Sequence, residues 1–420
     1  MNKITFAFKS MTGQKSGRLE EKWNYDTRSL LLSGPVVEDI DNDGKNEIVF
    51  GTRNGQVLSI SMEGDLKWAY NAQESHSEME LMFLDAETSN SISSSPNIGD
   101  INNDGHKEIV FGTESGRLFV LDNKGKPLWN YLTEGPIRGT PFIQKFANNQ
   151  SGILFGSTDK HLYFLNSKGQ LLWKYNANSE IGSTPALIVS KRPMIVFGSN
   201  DGVLHALDIK GAPLWTFKTG DKILAQPTYN ILAQGSDPVI IVGSTDGVLY
   251  CLTEQGNLVW SYETEGAICS KANVADINSD GKKEIVFGSC DNSVYAIDMD
   301  GKKLWSYETD FWVVAMPIIA DVDGDGRIEI VAGSYDHNIY ILDSAGSYMI
   351  DYVPGVSGIV AQTGQYGEAI TSGPGKTQGK KIWQYKTEGV VVGCAYLHNG
   401  KNIIVNTESG KVNNLVHKID

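Results

Sequence analysis

Short apolar runs that close on glycine punctuate the chain, as in Glu47-Ile48-Val49-Phe50-Gly51 and Glu284-Ile285-Val286-Phe287-Gly288. Turns of the type Thr-Asp-Gly or Glu-Ser-Gly lead out of them, a hairpin signal. A second segment follows, such as Leu118-Phe119-Val120-Leu121-Asp122 or Leu204-His205-Ala206-Leu207-Asp208. A glycine turn then gives way to Leu128-Trp129 or Leu214-Trp215, with an aromatic two residues later at Tyr131, Tyr175, Phe217, Tyr262 and Tyr307. Apolar runs this short, separated by turn residues, predict strands, and the unbroken Ile-Val-Phe core predicts a strand buried on both faces. With the small-residue and proline segment that precedes it, each unit reads as four antiparallel strands, labelled A to D.

The tryptophans count the units. Trp23, Trp68, Trp129, Trp173, Trp215, Trp260, Trp305 and Trp383 hold one position, at spacings of 45, 61, 44, 42, 45, 45 and 78 residues. Four strands per unit at this period read as a β-propeller. The expected fold is all-β, with eight blades of four antiparallel strands in a single domain over residues 1–420. Trp23 supplies the outer strand of a blade whose inner strands are Val391–Tyr396, Asn402–Val405 and Val412–Val416. Pairing the two termini in this way closes the ring and removes open sheet edges. Nine blades follow instead if Ile359–Lys381 is a degenerate unit. In the eight-blade reading, residues 346–375 are an insertion between strands C and D of blade 7. A second insertion, near 72–90, lies between blades 1 and 2.

Charge adds a location to this picture. Lys+Arg number 36 against Asp+Glu 50, a net −14, which opposes a generic nucleic-acid or anionic-membrane surface. The longest apolar stretch, Trp312 to Ala320, is too short for a membrane helix. The acid concentrates between strands A and B of four blades, in the pattern D-x-[DN]-x-D-G-x-x-E. Blade 1 carries Asp39, Asp41, Asp43 and Glu47; blade 2 carries Asp100, Asn102, Asp104 and Glu108. Blade 6 carries Asp276, Asn278, Asp280 and Glu284; blade 7 carries Asp321, Asp323, Asp325 and Glu329. These positions hold 14 carboxylates, as many as the net charge.

Oxygen ligands at alternate positions of a tight loop converge on one hard cation, the glycine at the sixth position allows the turn, and the ninth-position acid closes the shell. Backbone carbonyls of Lys45, His106, Lys282 and Arg327 at the seventh position are further ligands. No cysteine or histidine side chain falls on a ligand position, so calcium, up to four ions, is expected rather than zinc. The two loops with asparagine are expected to bind more weakly. The same hairpin is used each time, so the metal's expected role is structural.

The repeat resembles the quinoprotein-like (pyrroloquinoline-quinone-type) unit over residues 20–345 and 376–416, in which a tryptophan near the end of the outer strand docks on the next blade. The acidic loops resemble the FG-GAP calcium loops of integrin-type propellers at every position named above. The first family includes quinone-dependent alcohol dehydrogenases and cofactor-free scaffolds. The dehydrogenases carry adjacent cysteines beside the quinone. This chain has Cys251, Cys269, Cys290 and Cys394, with no Cys-Cys, no CxxC and no close pairing, so no quinone is expected.

No GxSxG, HExxH or P-loop motif occurs, and the seven histidines are scattered over different blades. Candidate ligand contacts lie at the mouth of the channel, where strand A begins. Most residues there are small, but Gln226 and Lys271 are not, and Arg138 and the Phe311-Trp312 pair stand in nearby loops. A cation beside aromatics suits an acidic or sugar-like ligand. The expected function is a calcium-stabilised, non-catalytic binding or scaffold module for a protein or glycan, engaged at the rim or at 346–375, with no nucleic acid and no membrane span. The alternative is a calcium-dependent polysaccharide lyase of the rhamnogalacturonan-lyase type, and a quinone dehydrogenase relative ranks third. A cytoplasmic location is expected if Met1 is the native start, and a periplasmic or extracellular one if a signal peptide was trimmed.

Overall fold

Strand B shows why the fold forms. Glu47–Gly51, Glu108–Gly112, Met194–Gly198 and Glu284–Gly288 are buried at every residue. Both faces of a blade are covered by neighbouring blades, so its inner strands are apolar without alternation. Strand D, at the outer edge, alternates instead between exposed and half-buried residues, as in Leu66–Asn71, Leu171–Asn176 and Leu258–Glu263.

A computed structural model describes residues 17–72, 90–145, 151–190, 192–231, 238–348, 377–397 and 401–418. It forms eight four-stranded antiparallel blades, with strands A to D in sequence order in seven of them. The eighth closes the ring: Arg18–Asp26 pairs with Lys411–Lys418, from Arg18 opposite Lys418 to Asp26 opposite Lys411. The ring has eight blades, so the nine-blade alternative does not hold. In blade 7, Asn338–Tyr348 pairs with Thr377–Lys386 as strands C and D. The expected insertions fall mainly on 73–89 and 349–376, which lie outside the described residues.

The blades are joined by tryptophan. Trp23, Trp68, Trp129, Trp215, Trp260 and Trp305 each donate their indole N–H to a carbonyl in the C–D turn of the next blade, at 2.8–3.2 Å. The glycine of that turn is required twice over. Gly211 has φ +83°, and a Cβ there would lie 2.7 Å from the Trp173 ring. The glycine closing strand B receives the next blade's loop: a Cβ at Gly198 would meet Ile223 at 2.2 Å.

A departure from the repeat creates a pH response. Phe119, Tyr163, Tyr250, Tyr295 and Tyr340 share one strand C position, which in blade 4 is His205. His205 is buried, stacks on Phe197 at 4.9 Å, and lies 3.1 Å from Ser199 Oγ through Nε2. Burial pushes its pKa down from 6.5 to about 4. The unfolded chain therefore takes up this proton first, so the contribution is intact above pH 6.5 and is lost as pH falls toward 4. The expected loss is about 3 kcal/mol at about 1.4 kcal/mol per unit. Urea unfolding of His205→Phe should show a shallower acid dependence than the native chain; identical profiles would refute the assignment.

Candidate functional site

The four acidic loops adopt one geometry. The first-position aspartate accepts from the sixth-position glycine N–H: Gly44 to Asp39 at 2.9 Å, Gly105 to Asp100 at 3.3 Å, Gly281 to Asp276 at 2.9 Å and Gly326 to Asp321 at 3.0 Å. The fifth-position aspartate accepts from the seventh residue, each time at 2.8 Å, from Lys45, His106, Lys282 and Arg327. The ninth-position glutamate is buried in every case. Its Oε2 accepts from the N–H of Ile40, Ile101, Ile277 or Val322 at 2.7–3.0 Å. Burial raises the Glu108 and Glu284 carboxyls above the ordinary range, and the nearby loop aspartates add to the rise against the opposing backbone N–H bonds.

The loops differ in what neutralises them. In blade 1 the Lys67 ammonium, from strand D, lies 3.0 Å from Asp41, 4.0 Å from Asp43 and 2.5 Å from Glu47. Burial lowers its pKa, but the hydrogen bonds to Glu47 and Asp41 outweigh that and hold it above the lysine range. In blades 2 and 6 an amide does the work: Asn102 Nδ2 donates to Asp104 at 2.9 Å and Glu108 at 3.1 Å, and Asn278 Nδ2 lies 3.4 Å from Asp280 and Glu284. In blade 7 the residue aligned with Lys67 is Ile382, and a lysine comes instead from the neighbouring blade, Lys401 Nζ donating to the Asp323 backbone carbonyl at 2.8 Å. Oxygens of Asp321, Asp323 and Asp325 lie within 4.8 Å of one another, as do those of Asp39, Asp41 and Asp43. Arg327 pairs with Asp325 at 2.8 Å from the outer side. All-oxygen donors at this spacing fit calcium. Sequence spacing gave these residues but not Lys67, which reaches its loop from another strand.

At the opposite rim the sequence candidates separate. Arg138 is held by Glu114 at 2.9–3.1 Å through Nε and a terminal nitrogen, and Gln226 donates to the Pro185 carbonyl at 3.3 Å. Both therefore make hydrogen bonds within the ring. Lys271 is half-buried and meets no acceptor or acid among the described residues, and burial lowers its pKa. Trp312 is 44% exposed, as is Phe311, and their rings stack at 5.0 Å. Tyr335 extends the array at 6.2 Å from Trp312. The backbone beneath is fixed, because the Phe311 carbonyl accepts from Thr309 Oγ1 at 2.6 Å and Ser334 Oγ at 3.0 Å, and Tyr335 N–H donates to the Trp312 carbonyl at 2.8 Å. Other repeats place Gly135-Pro136, Gly266-Ala267 or Gly389-Val390 here, so the two aromatics belong to blade 7 alone among these.

The rim also holds a pair that sequence spacing did not reveal. Cys269, in the loop before strand A of blade 6, and Cys290, in its B–C turn, are free thiols that lie near enough to shift each other's pKa in opposite directions. Twenty-one positions separate them, which hid the pairing.

Fold neighbours share this architecture. BamB from Moraxella catarrhalis is 19% identical over 95% of this chain and 98% of its own, with a TM-score of 0.64. The C-terminal WD40 domain of Sif2 is 12% identical over 96% and 99%, at 0.62. BBS1N, solved in complex with ARL6DN, is 10% identical over 96% and 98%, at 0.54. No curated protein matches the chain. A family model described as the lambda-carrageenase β-propeller domain matches residues 84–184 and 239–354. With more than half of its residues matched, this chain belongs to the lambda-carrageenase β-propeller domain family.

Proposed function

We propose that the chain is a calcium-stapled recognition propeller that binds a glycan, without cleaving it, at the channel mouth between blades 6 and 7. The observation that carries this reading is the backbone-anchored array of exposed Phe311 and Trp312 with half-buried Tyr335, on the rim that also carries Lys271, which meets no acceptor among the described residues. Flat aromatic faces take the C–H face of a sugar ring, and a half-buried ammonium offers donors to its oxygens. The family name points to a polysaccharide-degrading enzyme, which favours a sugar polymer as the ligand class. Calcium at the loops on the other rim ties strand A to strand B and leaves this face formed. A lyase would need a neutral base beside the calcium loops, whereas Lys67 is engaged by three carboxylates there.

Titration calorimetry of the intact chain with soluble galactans, carrageenan among them, tests the reading. Trp312→Ala should weaken binding by roughly thirtyfold, the effect of losing an aromatic anchor worth about 2 kcal/mol. Affinity unchanged in Trp312→Ala would discard the site, and release of reducing ends would overturn the non-catalytic reading.

A protein partner is the second reading, favoured by exposed Leu32, Leu224 and Met316 at the starts of strand A and the loops before it. A pull-down comparing the intact chain with one lacking 346–375 separates rim docking from insertion docking. An unchanged partner list excludes the insertion.

A further inference from the structure

Aligned positions at the rim bring a D–A loop side chain against a B–C turn side chain of the same blade. In blade 2 the pair is Ser93 and Glu114, with Oγ 2.7 Å from Oε1. In blade 6 the same two positions are Cys269 and Cys290. The loop and the turn are already joined, because Cys290 N–H donates to the Ala267 carbonyl at 2.9 Å. Both thiols are half-buried, so solvent reaches them, whereas Cys251 is fully buried. Lys271 lies two residues beyond Cys269, and Tyr335 of the aromatic array lies close enough to feel the charge of either thiolate.

We propose that Cys269 and Cys290 are a covalent modification site, closing to an intramolecular disulfide by exchange with a small-molecule disulfide and locking the blade 6 loop to its turn at the channel mouth. The Cys290 thiolate attacks one sulfur of the oxidant and expels its other half as a thiolate. Cys269 then loses its proton, attacks the Cys290 sulfur and expels the second half. The oxidant gains two electrons and two protons, and the protein loses two hydrogens. The neighbouring Cys269 thiol lowers the Cys290 pKa while its own is raised, and Cys290 is the less buried of the two, so Cys290 is the first attacker. By contrast, burial raises Cys251 and Cys394 to about 12 and leaves them inert.

The full chain incubated with excess oxidised glutathione should lose two hydrogens in intact mass. It should yield one linked peptide pair carrying Cys269 and Cys290, reversed by dithiothreitol. Cys269→Ser, with its fold checked by circular dichroism, should stop at one glutathione on Cys290. Cys290→Ser should leave Cys269 largely unreacted. Stable glutathione adducts on both cysteines of the native chain, an unreacted Cys290 in Cys269→Ser, or no reaction at all would each overturn the proposal. The chemistry rests on the loop geometry and not on the glycan reading, so failure of either leaves the other standing.

Discussion

Adding EDTA to the purified protein is expected to lower its melting temperature by several degrees, with calcium found by elemental analysis before treatment and not after. A ligand that binds only the folded state at a hundred times its Kd stabilises by about 2.7 kcal/mol per site. In a chain of this length each such site moves Tm by a few degrees. The contributions should be unequal. Blade 7 has four carboxylates at ligand positions, and the lysine at its loop, Lys401, donates to the Asp323 backbone carbonyl, so Asp323→Asn should remove the largest share. Blades 2 and 6 already donate an asparagine amide into the cluster and should contribute least. In blade 1 calcium would have to compete with Lys67 for the same carboxylates.

Lys67→Met should therefore raise the calcium affinity of blade 1. It should also destabilise the metal-free chain, because the buried Glu47 carboxylate loses its ammonium, a change of about 3 kcal/mol. The melting shift caused by EDTA should be larger in Lys67→Met than in the native chain. No calcium by elemental analysis, together with no melting shift on EDTA, would end the metal reading.

Trp305→Ala is the substitution expected to damage folding most. Trp305 is 1% exposed, donates to the Ser344 carbonyl at 2.8 Å, and packs against Ile277, Val313, Ile330 and Leu342 in the seam between blades 6 and 7. Removing a buried tryptophan opens a cavity worth about 3–5 kcal/mol, and the abandoned carbonyl adds about 1 kcal/mol. Trp215 makes the same hydrogen bond but is only half-buried. Trp215→Ala should cost about half as much, since part of its ring area already faces water. Urea unfolding of the two variants decides: equal losses, or a loss under about 1 kcal/mol for Trp305→Ala, would show that the tryptophan seam does not hold the blades together.

The blades were legible because the information is local and repeated. The run Ile48-Val49-Phe50-Gly51 states burial on both faces, the glycine turns state hairpins, and Trp23 with Val412–Val416 states the closure. The acidic loops were legible for the same reason, with all ligand positions within nine residues of chain. The array at Phe311 and Trp312 showed as two aromatics in a loop, while Tyr335 joined it only through the fold.

The amino-acid sequence by itself determined the ring of four-stranded blades, the closing of that ring by strands from both ends of the chain and the positions of its oxygen-rich loops, while the structure decided between eight blades and nine. Each depends on hydrogen bonding and burial patterns that span a few residues and recur at a fixed period. Only the tertiary structure decided which charged groups are already spoken for. Glu114 captures Arg138 across 24 positions, Lys67 enters the blade 1 loop across 26, and Cys290 comes beside Cys269 across 21, while Lys271 meets no partner among the described residues. Such pairings turn on side-chain reach between separate loops. The repeat period places those loops side by side but does not say which side chains will meet.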